Sequence, residues 1–346
     1  MTDIKYYRHG MGIGNNLFCI DSNILINVGK YYFNGKCGND DILTKQIREF
    51  IILCRNTGML RYNNALMEIS FNHGKNEINT DVMNKFMMVI DTLFMNCSDE
   101  EVINNVPHLK PFCVEKVSGE FNSIYDCKLP QITFEDEIGS LKLFYLIYLY
   151  TIKIYHLTNC DIEPMEKVKQ LYYYMTEEID CFMAHEFILG QMIFIGRDKE
   201  KIIAEGIMKF DKIRKGNSAI RTIINALLDI MSYRQITTIV DLSVKLKNPI
   251  NCIFVTQDQE LQNYIELNSD LRTVMNGDKI TDSFSSEFIP DEMFIDAWKT
   301  FYNCTVNTNA QRRFLDYHLG NRSDVNYGKV LKEISYYENI IFNSNK

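Results

Sequence analysis

Residues 17–28 read LFCIDSNILINV. Two apolar runs meet across Asp21, Ser22 and Asn23, with no Gly or Pro between them. The stretch is short, rich in Leu, Ile, Phe and Val, and follows the glycine-rich segment HGMGIGNN at 9–16. That pattern predicts a buried strand over 17–28, entered from a turn. The turn carries half of a dinucleotide fingerprint, but the fingerprint must follow a strand and this segment precedes one. An acid in a buried strand then needs a reason. Either Asp21 is a turn residue that Asn23 stabilises, or it marks the carboxyl end of a core strand, where α/β proteins gather ligands.

Outward from this stretch, residues 41–56 place Ile42, Ile47, Phe50, Ile51 and Cys54 near one helical face, with Thr57-Gly58 as the stop. MLRY at 59–62 predicts a short strand, and NNALMEISFN at 63–72 a helix capped by Asn63 or Asn64. A helix is expected over 81–96, an irregular proline-bearing segment over 98–137, and aromatic helices over 138–158 and 165–196. The longest helical pattern, 218–247, aligns Ile220, Ile224, Leu227 and Met231, with Asn217 or Ser218 as N-cap and Pro249 beyond its end. NCIFVT at 251–256 is a strand and QDQELQNYIEL at 257–267 a helix; further helices are expected near 291–303, 309–319 and 327–341. Strands alternating with helices define an α/β fold. Its core is expected at 1–75 and 215–275, interrupted by a mostly helical insertion at 76–214 and followed by a helical C-terminal extension at 276–346.

Composition narrows the function classes. With 46% apolar and 24% charged residues among 346, the chain is expected to fold. A net charge of -8 does not advertise nucleic-acid binding, although it leaves room for a local basic patch. The ten cysteines include no C-x-x-C pair, which argues against a zinc ribbon or finger. No secretory leader is evident, so reduced, buried thiols in a cytoplasmic protein are expected. The uninterrupted apolar run Leu143 to Ile152 is far shorter than the roughly 20 residues a membrane helix needs, so no membrane partner is expected. His185-Glu186 does not open an H-E-x-x-H site, because position 189 is Leu. The tyrosines at 145, 148, 150 and 172–174 are read as packing residues ahead of base-stacking ones.

Four acids stand in special places. Asp21 interrupts the first strand, Glu68 lies on the helix after the second, Asp229 lies within the long helix, and Asp258 follows the strand NCIFVT. Gathered at one sheet edge, such carboxylates stay ionised only beside a cation. Hard oxygen ligands suit Mg²⁺ or Mn²⁺, which activate water for in-line displacement at phosphorus. Each acid also has a structural reading. Glu68 can face solvent. Arg221, Asn225 and Asp229 form a polar strip that suits a solvated face equally well. Thr256-Gln257-Asp258-Gln259 is a T-x-x-Q capping box, with an acid in the first turn of a helix.

Taken in order, these segments resemble the PIN domain family. CIDSNILINV at 19–28 is similar to the family's first strand, which ends in Asp, a small residue, Asn and apolar residues. NNALMEIS, NALLDIMSYRQI and CIFVTQDQEL resemble its second, third and fourth motifs, the last with the form Thr-x-Asp-x-x-Leu. The resemblance covers about 15–75 and 215–275. The chain departs from the compact family pattern in its large helical stretch at 76–214 and in Asp229, which lies deep within its helix. The resemblance implies a three-layer core with a central, mostly parallel sheet, and a Mg²⁺- or Mn²⁺-dependent endoribonuclease leaving a 5′-phosphate and a 3′-hydroxyl. It makes Asp21, Glu68, Asp229 and Asp258 the catalytic metal ligands, supported by Asn23, Thr256 and Asn225. RNA is the expected substrate. The basic segment KFDKIRKGNSAIR at 209–221 offers Lys212, Arg214, Lys215 and Arg221 as phosphate contacts, or forms a solvated loop. A toxin or defence role fits the inserted helices, which also offer a surface to a second copy or a protein partner. Two alternatives stay open: a catalytically silent PIN-like scaffold, and a nuclease acting on DNA or flap structures.

Overall fold

The computed structural model describes residues 3–10, 16–72, 77–104, 140–214, 218–245, 247, 249–268, 272–276, 279–283, 288–319 and 325–344. In chain order, β1 (Lys5–His9), β2 (Asn16–Ile20), α1 (Ser22–Asn34), α2 (Asp41–Thr57), β3 (Gly58–Arg61) and α3 (Asn63–Ser70) come first. The two-residue strands β4 (Phe71–Asn72) and β5 (Glu77–Ile78) follow, then α4 (Thr80–Ile90), a π-helical turn (Asp91–Asn96) and α5 (Asp99–Asn104). A helical run continues with α6 (Ser140–Thr158), α7 (Pro164–Tyr173), a π-helical turn (Tyr174–Glu178), α8 (Ala184–Ile195), α9 (Asp198–Ile207), α10 (Phe210–Arg214) and α11 (Ala219–Lys245). β6 (Asn251–Thr256), α12 (Gln259–Leu267), the hairpin β7 (Arg272–Asn276) and β8 (Lys279–Ser283), α13 (Ile295–Phe301), α14 (Asn307–His318) and α15 (Tyr327–Ser344) complete it.

The decisive stretch divides differently from the expected strand over 17–28. β2 stops at Ile20, and Ser22–Asn34 is helix. Asp21 makes the break. Its backbone is extended (φ -80°, ψ 172°), its amide still donates to Val255 of β6, and its Oδ1 accepts from the Ile24 amide. That is an N-cap, and it converts the second apolar run into a helix. Ile24, Leu25, Val28, Tyr31 and Tyr32 then fall on one buried face. Gly35, at φ 74°, closes the helix by donating to the Tyr31 carbonyl at 2.8 Å, a left-handed cap that favours glycine.

The chain forms two compact units, Met1–Thr133 with Leu228–Gln262, and Phe134–Leu227 with Asn263–Lys346. The sequence reading divides the chain at 75/76, 214/215 and 275/276. Residues 80–104 go with the sheet because Phe86, Val89, Ile90, Leu93, Phe94 and Val102 bury their side chains in its core.

The first unit holds a four-stranded mixed sheet in the order β1-β6-β2-β3. β6 and β2 are parallel, with Ile20 opposite Val255, and β3 runs parallel to β2. β1, absent from the sequence reading, is an antiparallel edge beside β6, with Lys5 opposite Thr256. Alternation along β6 sends Ile253 and Val255 into the core shared with α1 and α2. It sends Phe254 to the other face, where Tyr233 of α11 packs at 6.0 Å between ring centroids. Helices thus cover both faces, and every residue of β6 is buried.

Several finer expectations shift. On α2 the buried face uses Leu43 in place of Ile42, which is 69% exposed. α3 begins at Asn63, with the Leu66 amide satisfied by the Tyr62 carbonyl. Within 98–137, expected to be irregular, Ser98 and Glu101 form a reciprocal capping box that starts α5; residues 105–137 lie outside the described residues. The expected helix 165–196 breaks between Glu178 and Ala184, where Asp180 takes φ 56° and accepts from Arg313 at 2.9 Å.

In the second unit α6 and α15 pack through polar tips on apolar bodies. Tyr148 donates to Glu338 at 2.8 Å, and the Lys153 ammonium lies over the Tyr174 and Tyr337 rings at 4.6 and 4.8 Å. Tyr148, Tyr150, Tyr172 and Tyr174 are buried, as packing requires. No described helix is long and apolar enough to cross a membrane.

Arg55 of α2 ties the sheet unit's helices together. Its guanidinium donates to the carbonyls of Leu93 (2.6 Å) and Cys97 and to the Asp99 carboxylate (3.0 Å). Replacing it leaves carbonyls at the end of the π-helical turn without this donor. Arg55→Ala is expected to lower stability by about 2–4 kcal/mol. A urea midpoint that does not move would show that water replaces the guanidinium at no cost.

Candidate active site

The site is built where β2 and β6 end side by side. A parallel pair delivers its two carboxyl ends to the same edge, and each strand here feeds directly into a helix. Asp21 caps α1. Asp258 caps α12, its Oδ1 accepting from the Leu261 amide at 3.0 Å and its carbonyl from the Gln262 amide at 2.9 Å. The T-x-x-Q capping box is therefore displaced by two residues: the cap is Asp258, not Thr256.

Thr256 does something else. Its hydroxyl donates to Asp21 Oδ2 and accepts from the Asp258 amide at 3.0 Å. One fully buried Oγ1 thus joins both acidic caps. Gln262 closes the corner behind it, donating to the Thr256 carbonyl at 3.2 Å and the Asp3 carbonyl at 3.0 Å.

Asp21 is buried, and burial is the main reason its carboxyl is pushed up to about 7. The hydrogen bonds from Thr256 and Ile24 pull the other way, and the charges of Asp229 and Asp258 push it further up. Asp229 and Asp258 are therefore each within electrostatic reach of Asp21. Asp229 is half-buried on α11, and Asp258 is half-buried beside a hollow. Glu68 is half-buried on α3, which packs against α1 and α4. Among the described residues no three His, Cys, Asp or Glu side chains come close enough together to hold a metal ion directly.

The hollow measures about 390 Å³ and is lined by Asn23, Asn27, Lys30, Gln257, Asp258 and neighbouring side chains. Asn23, expected to brace the Asp21 turn, is exposed at its rim. Asn27 and Lys30 were not singled out by sequence. They follow Asn23 at helical spacing, a signal that reading 17–28 as strand concealed. Of the other expected residues, Asn225 and Arg221 are half-buried on the part of α11 that belongs to the second unit. Lys212 is exposed in that unit, and Arg214 pairs with Glu205 at 2.8 Å. Lys215, like most of the glycine-rich turn, lies outside the described residues.

No family model, no curated protein and no solved structure matches this chain.

Burial of Asp21 has a measurable signature. Its contribution to stability is complete below about pH 4, where the carboxyl is protonated in the folded and unfolded chain alike. It is lost as pH rises through about 7, because only the unfolded chain ionises freely. The range corresponds to about 4 kcal/mol. Asn at position 21 keeps the cap without the charge. Asp21→Asn is therefore expected to be more stable than the wild type at pH 8 and to lose that advantage towards pH 4. Urea midpoints that differ equally at both values would refute the buried carboxylate as the source.

Proposed function

We propose that this edge is the active site of a PIN-like phosphodiester hydrolase that cleaves RNA with Mg²⁺ or Mn²⁺. The observation that carries the reading is the pairing of Asp21 and Asp258 at the carboxyl ends of adjacent parallel strands, joined through the Thr256 hydroxyl. The donor set fits a hard divalent cation. Asp21 is buried, its carboxyl is pushed up mainly by that burial, and the charges of Asp229 and Asp258 add to the push, so a cation there would relieve an electrostatic cost. The acids lie too far apart for three to bind directly, which suits an ion that keeps several of its waters.

When bound, the ion supplies Lewis acidity to a water and to the phosphoryl oxygens. The chain's own groups do the rest. Asp258 lines the hollow, and in this reading it takes a proton from the attacking water. Asp21 is fixed by the Ile24 amide and Thr256, so its carboxylate needs no reorientation during the reaction. Asp229 adds negative charge from the helix beyond the sheet, and Glu68 is the remaining carboxylate of this reading.

Asp21→Asn and Asp258→Asn both retain good capping residues. Each is expected to lose at least about 1000-fold in metal-dependent cleavage of a mixed RNA pool while its circular dichroism is unchanged. Cleavage that survives both substitutions sinks the reading; faster cleavage of DNA moves the substrate to the DNA or flap alternative. Because the Asp21 proton competes with the ion, Mn²⁺ affinity is expected to rise as pH increases through about 7, with proton release seen by calorimetry.

One observation favours a second reading. Asp21 and Asp258 are both helix caps, a use that needs no cation. In a silent scaffold the wild type cleaves nothing with any divalent ion, and Mg²⁺ leaves its melting temperature unchanged.

A further inference from the structure

The hollow beside Asp258 holds a second piece of chemistry. Lys30 stands on the exposed side of α1, two turns beyond Asn23 and one beyond Asn27. Its ammonium donates to Asn27 Oδ1 at 3.3 Å. Asn27 Nδ2 in turn donates to Gln257 Oε1 at 2.7 Å, crossing from α1 to the segment between β6 and α12. Asn27 is buried, so its amide is fixed from both sides and holds the cation at the wall of the hollow. The partner of Lys30 here is a neutral amide, and two ammonium protons point elsewhere.

Lys30 and Asp258 line the same hollow, and a cation beside a carboxylate-held metal ion suits an anion that touches both. A phosphodiester does this, with Lys30 on one non-bridging oxygen and the ion-binding side facing the other. A volume of about 390 Å³ falls within the range of small-ligand sites and accommodates a nucleoside. Besides Lys30, Asp258 and Ile26 the lining is the amides Asn23, Asn27, Gln257 and Gln259 with a second carboxylate, Glu260, and no aromatic ring, so a base here would be read by hydrogen bonds along its edge.

Resting on the nuclease reading, we propose that Lys30 positions the scissile phosphate, that Asn27 and Gln257 position Lys30, and that Asn23 contacts the adjoining base. The test uses the full chain and two readouts. Cleavage kinetics are measured on short RNAs differing in the base next to the cut. Binding of a fluorescent single-stranded RNA octamer is measured without metal over a salt series. Lys30→Gln is expected to raise KM about 10-fold, to lower kcat as well, and to flatten the slope of log affinity on log salt by about 0.7. Lys30→Arg restores binding, and Asn23→Ala narrows the spread of rates among the bases. If the wild type cleaves RNA while Lys30→Gln keeps its KM and salt slope, the subsite is wrong and the nuclease reading stands. If the wild type binds the octamer through Lys30 but never cleaves, the subsite stands and the nuclease reading falls. A wild type that neither binds nor cleaves overturns both.

Discussion

The Thr256 hydroxyl is the joint on which the sheet edge depends. It donates to the carboxylate that starts α1 and accepts from the amide of the residue that starts α12. Both helices leave the sheet at this corner, so their directions are set by one oxygen and two acidic caps. A valine there would fill the same space and satisfy neither partner. Asp21 would then be left buried with the Ile24 amide alone on its side chain, among charges of its own sign. The edge is costly as a structural device. A buried acid whose carboxyl is pushed up by its surroundings is a poor way merely to begin a helix, for which an exposed Asn serves equally well.

Helix α1 does two jobs on opposite sides. One face, from Ile24 to Tyr32, disappears into the core with Phe18, Ile253 and Val255. The other carries Asn23, Asn27 and Lys30 to the hollow. The rigidity of the first face gives the second its precision. Asn27 is buried although polar, and it is satisfied on both its oxygen and its nitrogen. Sites on helices seated in this way hold their geometry better than sites on loops.

Strands and helices with strong period or clear stops were legible in the sequence. β6 is a continuous apolar run, and α2 and α11 have regular apolar spacing and recognisable ends. The boundary at Asp21 was not, because an apolar run of this length fits a strand or a helix, and the cap that decides it had been read as an interruption. β1 has little sequence signature, because it is an edge strand on which only Tyr7 and His9 are partly covered. The break at Asp180 depends on a left-handed residue and an arginine 133 residues away, neither of which has a local signature. For the site, the acids at strand ends could be found from sequence. Their mutual distances could not, and the Lys30-Asn27-Gln257 relay depends on a helix that the reading had lost.

The two compact units are interleaved along the chain, each completed by a segment that follows part of the other. β1 and β2 both take β6 as a neighbour, and Thr256 follows Asp21 by 235 residues. During synthesis β1 therefore emerges without a partner, and β2 has only β3, until the first segment of the helical unit, Phe134–Leu227, has been made. Closing so long a loop costs little more than closing one of half the length. It does delay the pairing, and it leaves an apolar strand uncovered in the meantime. Order of appearance thus separates the two acidic caps in time: the carboxylate of Asp21 is made early, and the hydroxyl that fixes it arrives 235 residues later.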